Sequence, residues 1–408
     1  MNILVFNCGS SSLSYKVYRT AGSQHLVPVL AGKAHRVGVQ GTENAFIEHH
    51  LDGETFREVL PIRNHREAAT LVITFAQERD VPVDLVGHRF VHGGSLFQRS
   101  TLLDAGQLGR LERCLPLAPI HNPNSLSVIH ATQEALPGVR QYVTFDSAFH
   151  ASIPEYAYTY ALPRALVEQY GFRKYGFHGL SYQDVTHKAA GFLQTPLKGL
   201  RIVACHLGTG GSSVAAVKGG KSVDTSMGYS PLAGLVMSTR SGDIDPILPL
   251  HMVERCGYTA SEVARILNRQ SGLLGVSGFS SDIRDLIRAM DEGEDASPLT
   301  EDDRQRARLA FEMYVYRLKQ TIGGMAAALG GLDVLLFTDT VGLECPEVRE
   351  AACMEMDWCG IALDPVRNRQ ATGETIARVS PDGAPVEVLV VPNDEELIIG
   401  VEGLNLLN

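Results

Sequence analysis

Residues 3–18 read I-L-V-F-N-C-G-S-S-S-L-S-Y-K-V-Y, and residues 201–218 read R-I-V-A-C-H-L-G-T-G-G-S-S-V-A-A-V-K. Each opens with a short apolar run, residues 3–6 and 201–206. Each then stops at a Gly/Ser stretch and resumes as a second run, residues 13–18 and 214–218. Apolar runs of this length bounded by small polar residues predict strand, loop, strand. Gly219-Gly220 predicts a hairpin turn into a further strand at 221–225. The pattern recurs after about 200 residues, too long a period and too few copies for a solenoid. It predicts a duplicated α/β fold with a phosphate-handling loop in each half.

Outward from these anchors, strands at 45–49 and 55–60 flank Asp52-Gly53, a good hairpin turn. A helix follows at 66–78, then a buried strand at 85–91. The second half is more helical, with helices expected at 245–255, 260–268 and 304–329. In the last of these Leu309, Met313, Tyr316 and Gln320 are spaced three or four apart. The acidic stretch 291–303, which contains Pro298, reads as a solvated connection. Strand 334–337 leads into Thr338-Asp339-Thr340-Val341-Gly342. Strand 386–391 ends at Pro392-Asn393-Asp394-Glu395-Glu396, and a short helix closes the chain.

The bulk numbers bound the function. A chain of 408 residues with 44% hydrophobic and 20% charged residues suits two globular domains and argues against global disorder. The net charge of −10, with no basic patch, argues against a nucleic-acid partner. Seven dispersed cysteines without a C-x-x-C pair read as reduced thiols, hence a cytoplasmic location. Neither a leader nor an apolar run of membrane-spanning length is expected.

Candidate chemistry sits in a few short stretches. Glycines let backbone N–H groups approach phosphate oxygens, and hydroxyls add donors. Neither Gly/Ser loop matches G-x-x-x-x-G-K-[ST], so a P-loop is excluded; the bland alternative is a plain hairpin. Arg89, at the end of a buried strand between His88 and the His92 region, offers a fork suited to a carboxylate. Asp146 ends an apolar strand, His178 lies between glycines and aromatics, and Arg240 sits in a turn with Asp243 and Asp245. Singly, these read equally as a helix cap, a core histidine or a surface ion pair. Together they supply what phosphoryl transfer needs, since its transition state spreads negative charge over oxygens. No His or Cys spacing suggests zinc. Asn7 and Glu395 are oxygen ligands of the kind that suit Mg²⁺ keeping most of its waters.

These stretches also carry a resemblance. N-C-G-S-S-S-L at 7–13, G-H-R-F-V-H-G-G at 87–94, L-A-P-I-H-N-P at 117–123 and F-D-S-A-F-H at 145–150 appear in order. Y-G-F-H-G at 175–179, D-T-S-M-G at 224–228, R-S-G-D-I-D-P at 240–246 and S-G-L-L-G at 271–275 follow. The sequence resembles the acetate and propionate kinases of the acetokinase family over essentially its whole length. The resemblance implies two actin-like, ribonuclease-H-like domains with a cleft between them, working as a homodimer. One would take 1–149 plus 392–408; the other, 150–391, would bind the donor and dimerise. It implies that Arg89 holds the acceptor carboxylate, with Val91, Ile120, His121, Phe177 and Pro231 around the substrate. Asp146, His178 and Arg240 would be catalytic, and Asn7 and Glu395 would serve Mg²⁺. Ser10, Ser12, His206, Gly208, Thr209, Gly210, Asp282 and Arg284 would meet the phosphoryl donor.

The departures from the family pattern fall on the donor side. Ser14 stands where the family has Lys, although Lys16 shares its strand face. Thr209 replaces Asn in H-L-G-N-G, and residues 340–344, T-V-G-L-E, replace G-I-G-E-N. These changes resemble the diphosphate-dependent branch. The expected activity is therefore acetate kinase with diphosphate as donor. The alternatives are the ATP-dependent enzyme and, from another class, a non-enzymatic actin-like regulator or filament protein.

Overall fold

Both strand–loop–strand stretches become the opening hairpin of a sheet. In a computed structural model, describing residues 1–22, 25–39, 44–290 and 299–407, the chain forms two units. Unit 1 is Met1–Ala151 with Asp394–Asn408, and unit 2 is Ser152–Asn393. The expected connection at 291–303 lies outside the described residues as far as Pro298.

Unit 1 contains β1 (Asn2–Cys8), β2 (Ser12–Ala21), β3 (His25–His35), β4 (Phe46–Leu51), β5 (Glu54–Val59), β6 (Leu85–Phe90), β7 (Thr101–Leu102) and β8 (Arg140–Phe145). They form one sheet in the order β5-β4-β3-β2-β1-β6-β8-β7. Unit 2 contains β9 (Arg201–Leu207), β10 (Ser212–Lys218), β11 (Lys221–Thr225), β12 (Val334–Thr338), β13 (Ala377–Arg378) and β14 (Glu387–Val390), in the order β11-β10-β9-β12-β14-β13. The central five strands match between the units. An antiparallel meander, β3-β2-β1 or β11-β10-β9, is followed by two strands parallel to the first, β6-β8 or β12-β14. This is the actin-like, ribonuclease-H-like architecture, duplicated.

The parallel strands are buried on both faces and read as continuous apolar runs, as such strands must. Val334–Thr338 is buried at every position. The turns follow the sequence: Asp52 and Gly53 both have positive φ, as do Gly219 and Gly220, as a two-residue hairpin requires. β3 was not expected, because Pro28 and Gly32 argue against a strand. Pro28 sits where the β2–β3 register slips, between Val17↔Leu30 and Tyr18↔Pro28, so no ladder hydrogen bond is asked of it. At Gly32 a methyl group would lie 2.2 Å from the Glu48 carbonyl oxygen, so only glycine fits.

The long helix is Glu301–Leu329, opened by a capping box between Thr300 and Asp303. Its buried face is Ala307, Ala310, Tyr314, Leu318, Ile322 and Leu329, packed on the unit 2 core. The spaced residues Leu309, Met313 and Tyr316 point the other way, 51%, 39% and 63% exposed. The helix expected at 245–255 begins at Ile247, because Pro246 and the Asp245 carboxylate, which accepts from Ile247 N–H at 2.9 Å, set its start.

Two buried histidines give unit 1 a pH dependence. His88, stacked on Phe6, donates Nε2–H to Gln141 Oε1 at 2.8 Å. His49 pairs with the Tyr15 hydroxyl and stacks on Phe75 at 3.8 Å. Burial pushes each down to about 4. In the unfolded chain both return to about 6.5, so between those values the unfolded state binds more protons and stability is lost as pH is lowered. The urea midpoint should therefore drop as pH is lowered from 6.5 to 4, and His88→Gln should show a shallower drop; a midpoint flat over that window would contradict this.

Candidate functional site

In both units several of the polar residues of interest leave the carboxyl ends of the parallel strands, where open α/β sheets carry their ligands. Unit 1 brings together Asn7 from β1, Arg89 from β6, Asp146 directly after β8, and Glu395 from the final helix, Glu395–Leu407. Arg89 grips Asp146 with a fork, Nε to Oδ1 at 2.8 Å and Nη2 to Oδ2 at 2.6 Å. Its Nη1 donates to Asn7 Oδ1 at 3.0 Å and lies 3.6 Å from Glu395. Burial alone would lower the Arg89 pKa; Asp146 and Glu395 more than reverse that and hold the guanidinium charged. Asn7 Nδ2 in turn donates to Glu395 Oε2 at 3.1 Å and Glu396 Oε1 at 2.9 Å.

Neighbouring residues support this cluster. Asn122 clamps the strand end, accepting from His92 N–H and donating to the His92 and Cys114 carbonyls. Ser147 Oγ accepts from Gly93 N–H. Val91 is buried and Ile120 is half exposed. His121 caps the helix Asn122–Ala135. Ser10 and Ser12 lie at the turn closed by Gly9 N–H on the Ser12 carbonyl, and His65 reaches the Gly9 carbonyl. Lys16 pairs with Asp394 at 2.7 Å. Burial pushes the Cys8 thiol in this loop up to about 12, which removes it as a nucleophile.

Among the described residues no three His, Cys, Asp or Glu side chains form a ready-made metal cage. The donors present, an amide oxygen and carboxylates with no sulfur or imidazole among them, fit Mg²⁺. That ion binds through one or two carboxylates and keeps waters and substrate oxygens for the rest.

Unit 2 builds a second cluster around the loop after β9. Gly208 N–H bonds the Gly211 carbonyl at 3.1 Å, closing residues 208–211 into a tight turn. A methyl group on Gly211 would lie 3.2 Å from Arg240 Nη1 and 3.7 Å from His178 Nε2. His178 has φ +58, a left-handed conformation that is strained for any residue but glycine. It starts the helix Gly179–Phe192, and its Nδ1 is set by Ser213 Oγ at 2.8 Å. Its ring stacks on His206 at 3.9 Å. His206 in turn is held at both nitrogens, Nδ1 by Ser181 Oγ and Nε2 by Asp339 Oδ2, each at 2.9 Å. Burial raises the Asp339 carboxyl, but His206 and the Thr340 N–H more than reverse it, keeping it well below the usual carboxylate range.

Arg240 is the exception to this pairing. Its Nη1 reaches only the Pro231 carbonyl at 3.3 Å and Met237 Sδ at 3.9 Å. Half-buried, and with no carboxylate partner among the described residues, its pKa is lowered by burial. An anion arriving at Gly211 would meet a cation that is partly desolvated and, among the described residues, not engaged by a carboxylate. Phe177 is buried beside His178.

The other end of the loop is closed. Ser238 Oγ donates to the Thr209 carbonyl. A cavity of about 10 Å³, lined by Gly208, Thr209, Ser238, Asp282 and Val341 among others, has room for about one water. Gly210 is exposed. Arg284 is committed to Asp282 at 2.7 Å and Glu344 at 2.8 Å. Arg349, fully buried, donates to the Gly342, Leu343 and Asn368 carbonyls and to Asn368 Oδ1, which fixes the end of the short helix Asp339–Glu344. Ser213, Ser181, Ser238, Asn122 and Arg349 were not anticipated. Asn122 and Ser213 sat within stretches already singled out, but their roles depend on partners outside those stretches.

The sequence profile of the acetokinase family matches residues 2–401. The chain belongs to the acetokinase family. It is a phosphotransferase with a carboxyl group as acceptor. It is 41% identical to an acetate kinase of Thermoanaerobacter pseudethanolicus, covering 98% of this chain and 97% of that one. Among solved structures, it superposes on the acetate kinase of Entamoeba histolytica with a TM-score of 0.88 at 44% identity, covering 99% of both chains. A propionate kinase from Francisella tularensis gives 0.86 at 32% identity, covering 98% of both.

In this acetokinase the cost of Arg240 is measurable. A half-buried charge without a partner destabilises a fold, and an apolar replacement of similar length removes the penalty. Arg240→Met should raise stability by about 1 kcal/mol while phosphotransfer falls by ~10²–10³ in kcat. A variant that loses stability, or keeps its rate, would contradict the reading of Arg240 as an idle anion receptor.

Proposed function

We propose that this acetokinase is an acetate kinase that takes its phosphoryl group from diphosphate in the presence of Mg²⁺. The observation that carries the donor reading is the state of the loop after β9. Its phosphate-facing end at Gly211 keeps a free cation, whereas its far end is walled off. Asp339 engages His206, Glu344 engages Arg284, and the cavity lined by Gly208, Thr209 and Val341 has room for about one water. Nucleoside recognition needs an apolar slot and polar groups to orient the base. Thr340 replaces a glycine there, and Leu343 packs within 2.6 Å of where a methyl group on Gly373 would be. Arg349 holds this short helix by its carbonyls, which works against the small shift that would reopen a slot.

The acceptor side is read in unit 1. The carboxylate of acetate is ionised at pH 7, since its pKa resembles that of a Glu side chain, ~4.3. No base is needed to make it a nucleophile. Its oxygen forms the new bond to phosphorus, the bridging P–O bond of diphosphate breaks, and orthophosphate leaves. Arg89 positions the carboxylate and Asp146. Val91 and Ile120 supply apolar surface for a short chain. Arg240 and His178 neutralise charge on the transferring group. Bound Mg²⁺, held by Asn7 and Glu395 with Asp146 nearby, would neutralise donor oxygens. Seven cysteines, all unpaired, fit the reducing cytoplasm.

The test is acetyl phosphate formation, trapped as the hydroxamate, with Mg-diphosphate and Mg-ATP in parallel. Diphosphate should give the higher kcat/KM, acetate should exceed propionate and butyrate, and Asp146→Asn should need more Mg²⁺ for half-maximal rate. A higher kcat/KM with ATP would return the enzyme to the ATP-dependent kind.

A homodimer is part of this reading. The helix Ile247–Glu254 buries none of its residues, and Ile247, Leu248 and Leu250 are 63%, 51% and 55% exposed. It adjoins the exposed face of the long helix, where Arg317 bonds the Asp243 carbonyl. Apolar surface of this extent marks a contact with another chain. Light scattering should return twice 44.3 kDa, and Leu250→Glu should return the monomer; a wild-type monomer would refute the pairing.

A further inference from the structure

Asp339 stands out in the donor loop for what it costs. It adopts φ +61, a strained left-handed conformation, directly after β12. The strand register places Thr338 opposite His206, so the next residue emerges beside that imidazole. The carboxylate is fixed from several sides. Oδ2 takes His206 Nε2 at 2.9 Å, and Oδ1 accepts from Thr340 N–H at 2.7 Å and from the Thr340 hydroxyl at 3.2 Å. Oδ2 also lies against the loop, since a methyl group on Gly208 would come within 2.5 Å of it. An imidazole N–H, a backbone N–H and a glycine that permits close approach are what a phosphate oxygen would seek. Here a carboxylate of the chain itself takes them.

The loop therefore has two unlike ends. At Gly211 stand His178 Nε2 and Arg240, which has no carboxylate partner among the described residues. At Gly208 stands Asp339. A four-residue turn brings its ends within about 7 Å, so the cation and the carboxylate bracket a short run of phosphoryl groups. The wall beyond is negative as well, because Arg284 is neutralised by Asp282 and Glu344.

We propose that Asp339 is a built-in anion that limits the phosphoryl donor to two phosphoryl groups, by occupying at His206 and Gly208 the place a third would take. This rests on the diphosphate reading and deepens it. The donor is selected by the number of its phosphates, not only by the absence of a nucleoside. The transferring group lies towards Arg240, the leaving phosphate along the turn, and any further phosphate meets a fixed carboxylate. Like charges set face to face are the usual means of rejecting a wrong ligand.

The test uses two donors that lack a nucleoside, Mg-diphosphate and Mg-tripolyphosphate, with acetate and hydroxamate trapping. The wild-type protein should favour diphosphate in kcat/KM. Asp339→Asn keeps the shape and removes the charge, and Asp339→Ala removes both. Each should narrow the preference about tenfold or more, whereas Asp339→Glu should keep it. Tripolyphosphate binding followed by calorimetry gives a readout that does not need turnover: it should tighten in Asp339→Asn. An unchanged ratio and unchanged binding in both neutral variants would overturn the proposal. Wild-type protein that prefers diphosphate to ATP yet accepts tripolyphosphate equally well would overturn it alone. Wild-type protein that prefers ATP would overturn it together with the diphosphate reading.

Discussion

Three parallel strands in each unit, β1-β6-β8 and β9-β12-β14, constrain everything else. Because they run the same way, their carboxyl ends lie together, and residues distant in sequence emerge side by side. Asn7, Arg89 and Asp146 meet for this reason, as do His206 and Asp339. The antiparallel meanders, the long helix and the C-terminal helix serve chiefly to bury those strands. A slip of one residue in β9 against β12 would turn His206 to the other face of the sheet and separate it from Asp339.

The two clusters solve opposite electrostatic problems. In unit 1 a buried guanidinium is matched by carboxylates and an amide, so that each charge is satisfied before any ligand arrives. In unit 2 the charges are sorted. His206 and Arg284 are countered by acids, and Arg240 is left without one among the described residues. Preorganisation of this kind costs folding stability and spares the protein reorganisation when charge develops on a ligand. The left-handed backbone at His178 and Asp339 belongs to the same pattern, with strain held where the surrounding structure fixes it.

Much of this was legible in the sequence, for identifiable reasons. The duplicated strand–loop–strand stretches announce themselves because a fully buried strand must be continuously apolar and a tight loop must be small. Arg89 and Asp146 stood out as polar residues at the ends of apolar runs, His178 as a lone imidazole between glycines and aromatics, and Arg240 as the cation of a turn with two acids. What stayed hidden were the partners. Nothing local says that Glu344 will reach Arg284, sixty residues away, or that Arg349 will satisfy carbonyls of the donor loop. β3 was hidden by Pro28, whose cost vanishes only because the register slips there. The spacing of Leu309, Met313 and Tyr316 predicted a helix correctly, but periodicity alone does not tell a face turned to the core from one turned outward.

The bond from Asn7 to Glu395 spans 388 positions of the chain. A ribosome working at ~5–20 residues per second makes the second partner roughly 20–80 s after the first. Throughout that interval β1 exists without the helix that supplies its carboxylates, while Ser152–Asn393 emerges as one uninterrupted segment. The second unit can therefore finish folding while the first still waits for its last fifteen residues, Asp394–Asn408. Vectorial synthesis thus delays the assembly of the unit 1 cluster until the whole of the second unit has been made.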